Sequence, residues 1–170
     1  MRAPDLRVAM LICLALLATG CGRGSVEDQL SKALEKDNKT NIQKTTSCYL
    51  IYQALNGMSP PKSLEQLRTF ITTHKSPEKA LKRMGLKRED FDSYLIGRDG
   101  EPLTIKYGVR GISGPDSPNS AIIFEAVGVD GVRQVSFNDR EIKEISDHVE
   151  YDRLLNEKKS KSSKKYDMYD

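Results

Sequence analysis

The stretch that decides the fold is Arg98-Asp99-Gly100-Glu101-Pro102-Leu103-Thr104-Ile105-Lys106-Tyr107-Gly108-Val109. Its first five residues form a turn, because Asp-Gly followed closely by Pro interrupts any regular element. The remainder alternates: Leu103, Ile105, Tyr107 and Val109 are apolar, with Thr104, Lys106 and Gly108 between them. That period of two predicts a half-buried strand. Upstream of residue 98 the apolar residues recur at helical spacing instead. Helices first and strands last predict an α+β domain, with N-terminal helices packed on one face of a small antiparallel sheet of three or four strands.

Downstream, residues 110–119 form a loop rich in Gly, Ser and Pro. Ala121-Ile122-Ile123-Phe124-Glu125-Ala126-Val127 reads as a strand apolar on both faces, and therefore central. Gly128-Val129-Asp130-Gly131 signals a tight hairpin. Val132, Val135 and Phe137 belong to a third strand, and residues 139–146 fit either a fourth strand or a turn. Tyr151, Leu154 and Leu155 suggest a short closing helix.

Upstream, Ile42, Thr45, Tyr49, Tyr52 and Leu55 share one helix face, widened by Leu50 and Ala54. Asn56-Gly57 ends that helix and Pro60-Pro61 prevents its continuation. Ser63 and Gln66 form a capping-box pattern for a second helix burying Leu64, Leu67, Phe70 and Ile71. Ser76-Pro77-Glu78 opens a third, with Pro at its first position, apolar at Ala80, Leu81 and Met84 and stopped by Gly85. Leu86 to Leu95 reads as a further helical turn, with Phe91, Tyr94 and Leu95 facing inward. The polar stretch Glu35 to Asn41 fits a solvated helix face or a break between helices.

The N-terminus reads as an address. Arg2 and Arg7 precede an unbroken apolar run from Val8 to Ala18, 11 residues long. That is the length of a signal h-region, whereas a spanning helix needs roughly 20 residues to cross about 30 Å of hydrocarbon. The segment Leu17-Ala18-Thr19-Gly20-Cys21 resembles the signal of bacterial lipoproteins. The resemblance implies cleavage before Cys21 and diacylation of that cysteine, which would hold the protein on a membrane. Ala18 stands where Leu is commonest in that family, with Leu17 displaced by one. Gly22 stands where an Asp would mark inner-membrane retention, which leans towards the outer membrane. Once Cys13 leaves with the signal and Cys21 carries lipid, Cys48 is the one thiol left. Its place in a helical pattern predicts a buried structural residue.

These segments divide the chain. Residues 1–20 are the signal peptide, 21–40 a lipid-anchored tether running into a helix, 41–155 a single α+β domain, and 156–170 a disordered Lys-rich tail. The whole chain carries 27 basic and 24 acidic residues, a net charge of +3. From Glu157 onward, five lysines stand against Glu157, Asp167 and Asp170, whereas Cys21 to Asn156 is balanced. The excess is too small to imply a nucleic-acid partner. The tail from Lys158 to Lys165 is a candidate for weak contact with anionic surfaces.

Two wider resemblances concern the body. Pro60-Pro61-Lys62-Ser63-Leu64-Glu65-Gln66-Leu67, the Arg98–Pro102 turn, Ile105-Lys106-Tyr107-Gly108 and Phe124 to Val135 resemble small uncharacterised lipoproteins of planctomycete bacteria over most of residues 41–155. Glu150-Tyr151-Asp152-Arg153-Leu154 fits the same pattern. More weakly, the helix, the Pro-containing loop and the Asp99-Gly100-Glu101-Pro102 turn leading into a hairpin are similar to the soluble part of pseudopilins of type II secretion. The chain lacks that family's prepilin site and its long apolar N-terminal helix. Some pseudopilins bind calcium near the hairpin; Asp99, Glu101, Asp116 and Asp130 are the acids nearby, but their spacing is that of turn residues.

No reaction motif is present. His74 and His148 have no second ligand at metal spacing, and Gly108, Gly111 and Gly114 lead into no helix that would receive a phosphate. Arg83, Lys87, Arg88, Glu89 and Asp90 read as a solvated mixed-charge face, and Glu141 with Glu144 as surface carboxylates. No catalytic, cofactor or metal residue is therefore predicted. The sequence reads as a non-enzymatic envelope lipoprotein anchored through Cys21, facing the periplasm or exterior and binding another envelope protein. The alternatives are a pilin-like accessory component of a secretion or assembly machine and, from another class, a small envelope hydrolase with a buried polar pocket.

Overall fold

The computed structural model describes residues 38–110 and 119–157. Among them the order is α1 (Asn41–Leu55), α2 (Leu64–Thr73), α3 (Glu78–Arg83), α4 (Phe91–Tyr94), β1 (Thr104–Ile105), β2 (Ala121–Phe124), β3 (Arg133–Phe137), β4 (Ile142–Ile145) and α5 (His148–Asn156). The strands pair antiparallel in the order β1-β2-β3-β4, a meander. The domain is α+β with four helices preceding the sheet, as the change of period at residue 98 predicts.

The start of α1 is set by a capping box. The Thr40 side chain accepts from the Gln43 N–H, and Gln43 Oε1 accepts from the Thr40 N–H at 2.9 Å. This reciprocal arrangement begins a helix, so α1 starts afresh after residues 38–40, which are not helical; Glu35 to Asp37 lie outside the described residues. α1 touches α2, α3 and α4 as well as β2 and β3. A helix clad on more than one side buries more than one stripe, and Ser47, Cys48, Ile51 and Gln53 are buried beside Ile42, Tyr49 and Tyr52. The single-face reading fails at the C-terminal end, where Ala54 and Leu55 are exposed because the last turn projects past the elements that cover the rest.

Most buried polar groups on α1 find partners, as an interior of low dielectric favours, although Gln53 Oε1 has none among the described residues. Thr45 Oγ1 donates to the Tyr94 carbonyl at 2.6 Å. Thr46 Oγ1 donates to the Ile42 carbonyl and shares a 2.6 Å hydrogen bond with Ser136 Oγ on β3. Ser47 Oγ donates to Asn38 Oδ1, and Gln53 Nε2 to the Val109 carbonyl.

The later helices largely follow their sequence signals. Ser63 caps α2, which buries Leu67, Phe70 and Ile71 while Leu64 stays half-buried. Pro77 sits at the N-cap of α3 instead of its first position, and Gly85 ends it at φ +65°. The turn expected over Leu86 to Leu95 contracts to α4, with Phe91, Tyr94 and Leu95 buried.

The strand expected over residues 103–109 is shorter than its alternation. After Lys106 N–H donates to the Ile122 carbonyl, the chain leaves the sheet, and Gly108 N–H donates to the Pro61 carbonyl instead. β2 is buried throughout and lies between β1 and β3, so its reading as central holds. The β2–β3 hairpin closes on Asp130-Gly131, both at positive φ, with Val129 and Val132 exchanging two hydrogen bonds. This is a type I′ turn. Gly128, at φ +81°, is obligatory: a Cβ there would lie 2.3 Å from the Val132 carbonyl oxygen. A three-residue turn over 138–140 then leads into β4, which resolves residues 139–146 as turn and strand.

The two sheet faces are covered differently. Ser136 points to α1, so its neighbours Val135 and Phe137 point away. They cluster with Ala121, Phe124, Ile145, Tyr151 and Leu154, which places α5 on the face opposite α1. Asn156, assigned to the tail by sequence, is the last residue of α5. Lys106 Nζ donates to the Leu154 and Glu157 carbonyls and so caps that helix.

Candidate functional site

The Arg98–Pro102 turn is tied to the β2–β3 hairpin by a polar clasp. Glu125 follows β2 directly, and its side chain is 1% exposed. Its carboxylate accepts from Arg98 Nε at 2.9 Å, Arg98 Nη2 at 3.0 Å, the Arg98 N–H at 3.2 Å and the Gln134 N–H at 2.7 Å. Four donors around a buried carboxylate satisfy it as few surface pairs do. The hydrogen bond to Glu125 raises the Arg98 guanidinium above its ordinary value. Arg98 also reaches Glu144 on β4 at 3.2 Å and the Val132 carbonyl. Beneath the clasp, the Tyr151 hydroxyl donates to the Glu125 carbonyl at 2.6 Å, and the Arg133 guanidinium stacks 4.3 Å from the Tyr151 ring centroid.

Asp99 belongs to the same unit. It accepts from the N–H groups of Gly128, Val127 and Glu101. Partial burial pushes its carboxyl up, but these three backbone donors outweigh it and hold the group below the ordinary carboxylate range. Asp99 is therefore a hairpin staple rather than a cation ligand. Asp130 sits in the type I′ turn, and Asp116 lies outside the described residues. Among the described residues no group of three His, Cys, Asp or Glu side chains is placed to hold a metal ion.

Two cavities stand out among the described residues. One, about 420 Å³, lies along α2 and is lined by Tyr52, Asn56, Ser63, Glu65, Gln66, Thr69, Phe70 and His74. Ser63, Glu65 and His74 share it, but they do not form a nucleophile and base. Ser63 caps the start of α2 and His74 its end, about 16 Å apart at 1.5 Å per residue. The other cavity, about 360 Å³, lies beside the start of α1 and the β3–β4 turn, lined by Asn38, Gln43, Thr46, Asp139 and Arg140. Among the described residues, every one that lines it is polar or charged.

The residues singled out from sequence fall in several places. Cys21 and the tail lysines from Lys158 to Lys165 lie outside the described residues, as do Gly111 and Gly114. Cys48 is fully buried, and burial pushes its thiol up to about 12. His74 and His148 are exposed at the end of α2 and the start of α5. Arg88 lies 3.6 Å from Glu78. Glu141 and Glu144 are not a pair: Glu141 meets Lys143, and Glu144 meets Arg98. Sequence reasoning missed Glu125 and Arg140. A lone carboxylate inside an apolar strand and a hairpin turn lacking glycine were the available signals. The chain matches no protein-family model, no curated protein and no solved structure.

Proposed function

We propose that the protein is a non-enzymatic envelope lipoprotein, in which Cys21 carries lipid and presents the α+β domain at a bacterial membrane surface for binding another envelope protein. The observation that carries this reading is the apolar run Val8–Ala18 ending in Leu17-Ala18-Thr19-Gly20-Cys21. The domain supports it by starting on its own signal: Thr40 closes a capping box 19 residues beyond Cys21. Charged side chains on β4, Lys143 and Glu144, guard that sheet edge against strand addition, which favours the helical side as the partner surface. Growth with a radioactive fatty acid tests the anchor. Label should enter the wild type and be absent from Cys21→Ser; label retained in the variant removes the assignment.

A pilin-like accessory component is the second reading. It is favoured by the order of elements, a long central helix lying on an antiparallel meander after a helical connection. Cross-linking in the native envelope separates the two, because a secretion pseudopilus component must recover adducts with other pilin-like subunits.

A further inference from the structure

We propose that the cavity between the start of α1 and the β3–β4 turn binds a singly charged oxyanion, a carboxylate or a phosphodiester, through the guanidinium of Arg140. The first observation is conformational. Arg140 N–H donates to the Phe137 carbonyl, and Phe137 N–H to the Glu141 carbonyl, which makes residues 138–140 a three-residue hairpin turn. The third position of that turn is left-handed and belongs to glycine by preference. Here it is Arg140, at φ +75°. An arginine has no side-chain hydrogen bond that eases this conformation, as Asn or Asp would have. Non-glycine residues held in such regions concentrate at functional positions.

The second observation is electrostatic. Arg140 forms no ion pair among the described residues. Its hydrogen bond to Ser47 Oγ, from Nη2, is long at 3.4 Å. A guanidinium carries five donors in a fixed fork suited to carboxylate and phosphate, so most of this fork is open to a ligand. The neighbouring carboxylate does not compete for it: Asp139 Oδ1 accepts from the Glu141 N–H and Oδ2 from Asn119 Nδ2. Asp139 nevertheless offsets the charge of Arg140, which suits a monoanion over a dianion.

The third observation is the lining. Gln43 Oε1 is occupied by Lys39 N–H and Thr40 N–H, leaving the Gln43 amide nitrogen to donate. Ser47 is fixed through its 2.6 Å hydrogen bond to Asn38, which lines the cavity, so the hydroxyl beside Arg140 is already ordered. A polar cavity with a positioned guanidinium and an amide donor is complementary to an oxyanion and to little else.

The test uses the full chain, isotope-labelled and held in a non-ionic detergent, with dimethyl phosphate and N-acetylglycine as probes in separate titrations at constant ionic strength. One probe should shift the amide signals of residues 138–141 and of Gln43 saturably, in the millimolar range; which one does so identifies a phosphodiester or a peptide-like carboxylate as the source. Arg140→Gly and Arg140→Asn, both suited to the left-handed position, should abolish saturation while leaving the Tm unchanged or higher. Arg140→Lys keeps the charge without the fork and should bind several-fold more weakly. The proposal is overturned if neither probe saturates, if the Gly and Asn variants bind like the wild type, or if both variants lower the Tm.

Discussion

Arg98→Met should destabilise the domain severely, although it removes a residue from a turn. Glu125 is 1% exposed, and Arg98 supplies two of its side-chain donors, at 2.9 and 3.0 Å. Met conserves most of the side-chain volume and leaves a buried carboxylate facing only the N–H groups of Arg98's own position and of Gln134. Removing one partner of a buried ion pair costs about 3–5 kcal/mol. The Arg98 side chain is 32% exposed, so water partly replaces it and the lower figure, about 3 kcal/mol, applies. With an unfolding entropy of about 2.1 cal/mol/K per residue over roughly 120 residues, that corresponds to about 12 °C in Tm. The companion variant carries the weight of the reasoning. Adding Glu125→Met to Arg98→Met removes the uncompensated charge, leaving only two backbone donors unsatisfied. The double variant should therefore lie closer to wild type than the sum of the two singles. Urea unfolding followed by circular dichroism, on residues 21–170 with Cys21→Ser, measures all three. A loss below about 1 kcal/mol for Arg98→Met, or strict additivity in the double variant, would refute the clasp as an energetic unit.

Asp99→Asn should flatten the acid limb of stability. Because the folded carboxyl lies below its unfolded value, its contribution is present above the unfolded pKa of about 3.9 and lost as pH falls through the lower folded value; acid titration of Tm in both proteins shows it. Gly128→Ala should disrupt the β2–β3 hairpin at a cost of about 2 kcal/mol or more, since φ is +81° and the new Cβ would meet the Val132 carbonyl; urea midpoints report it. Thr40→Ala removes the cap of α1 and should cost about 1 kcal/mol in the same assay. Cys48 should resist Ellman's reagent at pH 8 in the native protein and react in urea, because burial holds its thiol protonated up to about 12; rapid labelling in the native state would contradict the buried packing.

What could be read from the chain depended on how far each signal reaches. The change of period at residue 98, the capping residue Ser63 and the Asp130-Gly131 turn act within a few residues, and each has its expected consequence in the fold. The burial of Thr46 and Ser47 was not legible. It depends on Ser136, far along the chain, and on Asn38, which supply the hydrogen bonds. Glu125 is the same case in sharper form: a charge inside an apolar strand breaks a local rule, and only a partner 27 residues away repairs it. Arg140 breaks another rule, by standing where the hairpin calls for glycine. Here the described residues offer no repair, because neither the backbone nor a carboxylate compensates the arginine. Consistency between local preference and overall fold is what a foldable sequence requires, and departures that remain uncompensated inside the fold concentrate where something is bound. By that criterion the clasp at Glu125 belongs to stability. The cavity at Arg140 is where a ligand should be sought.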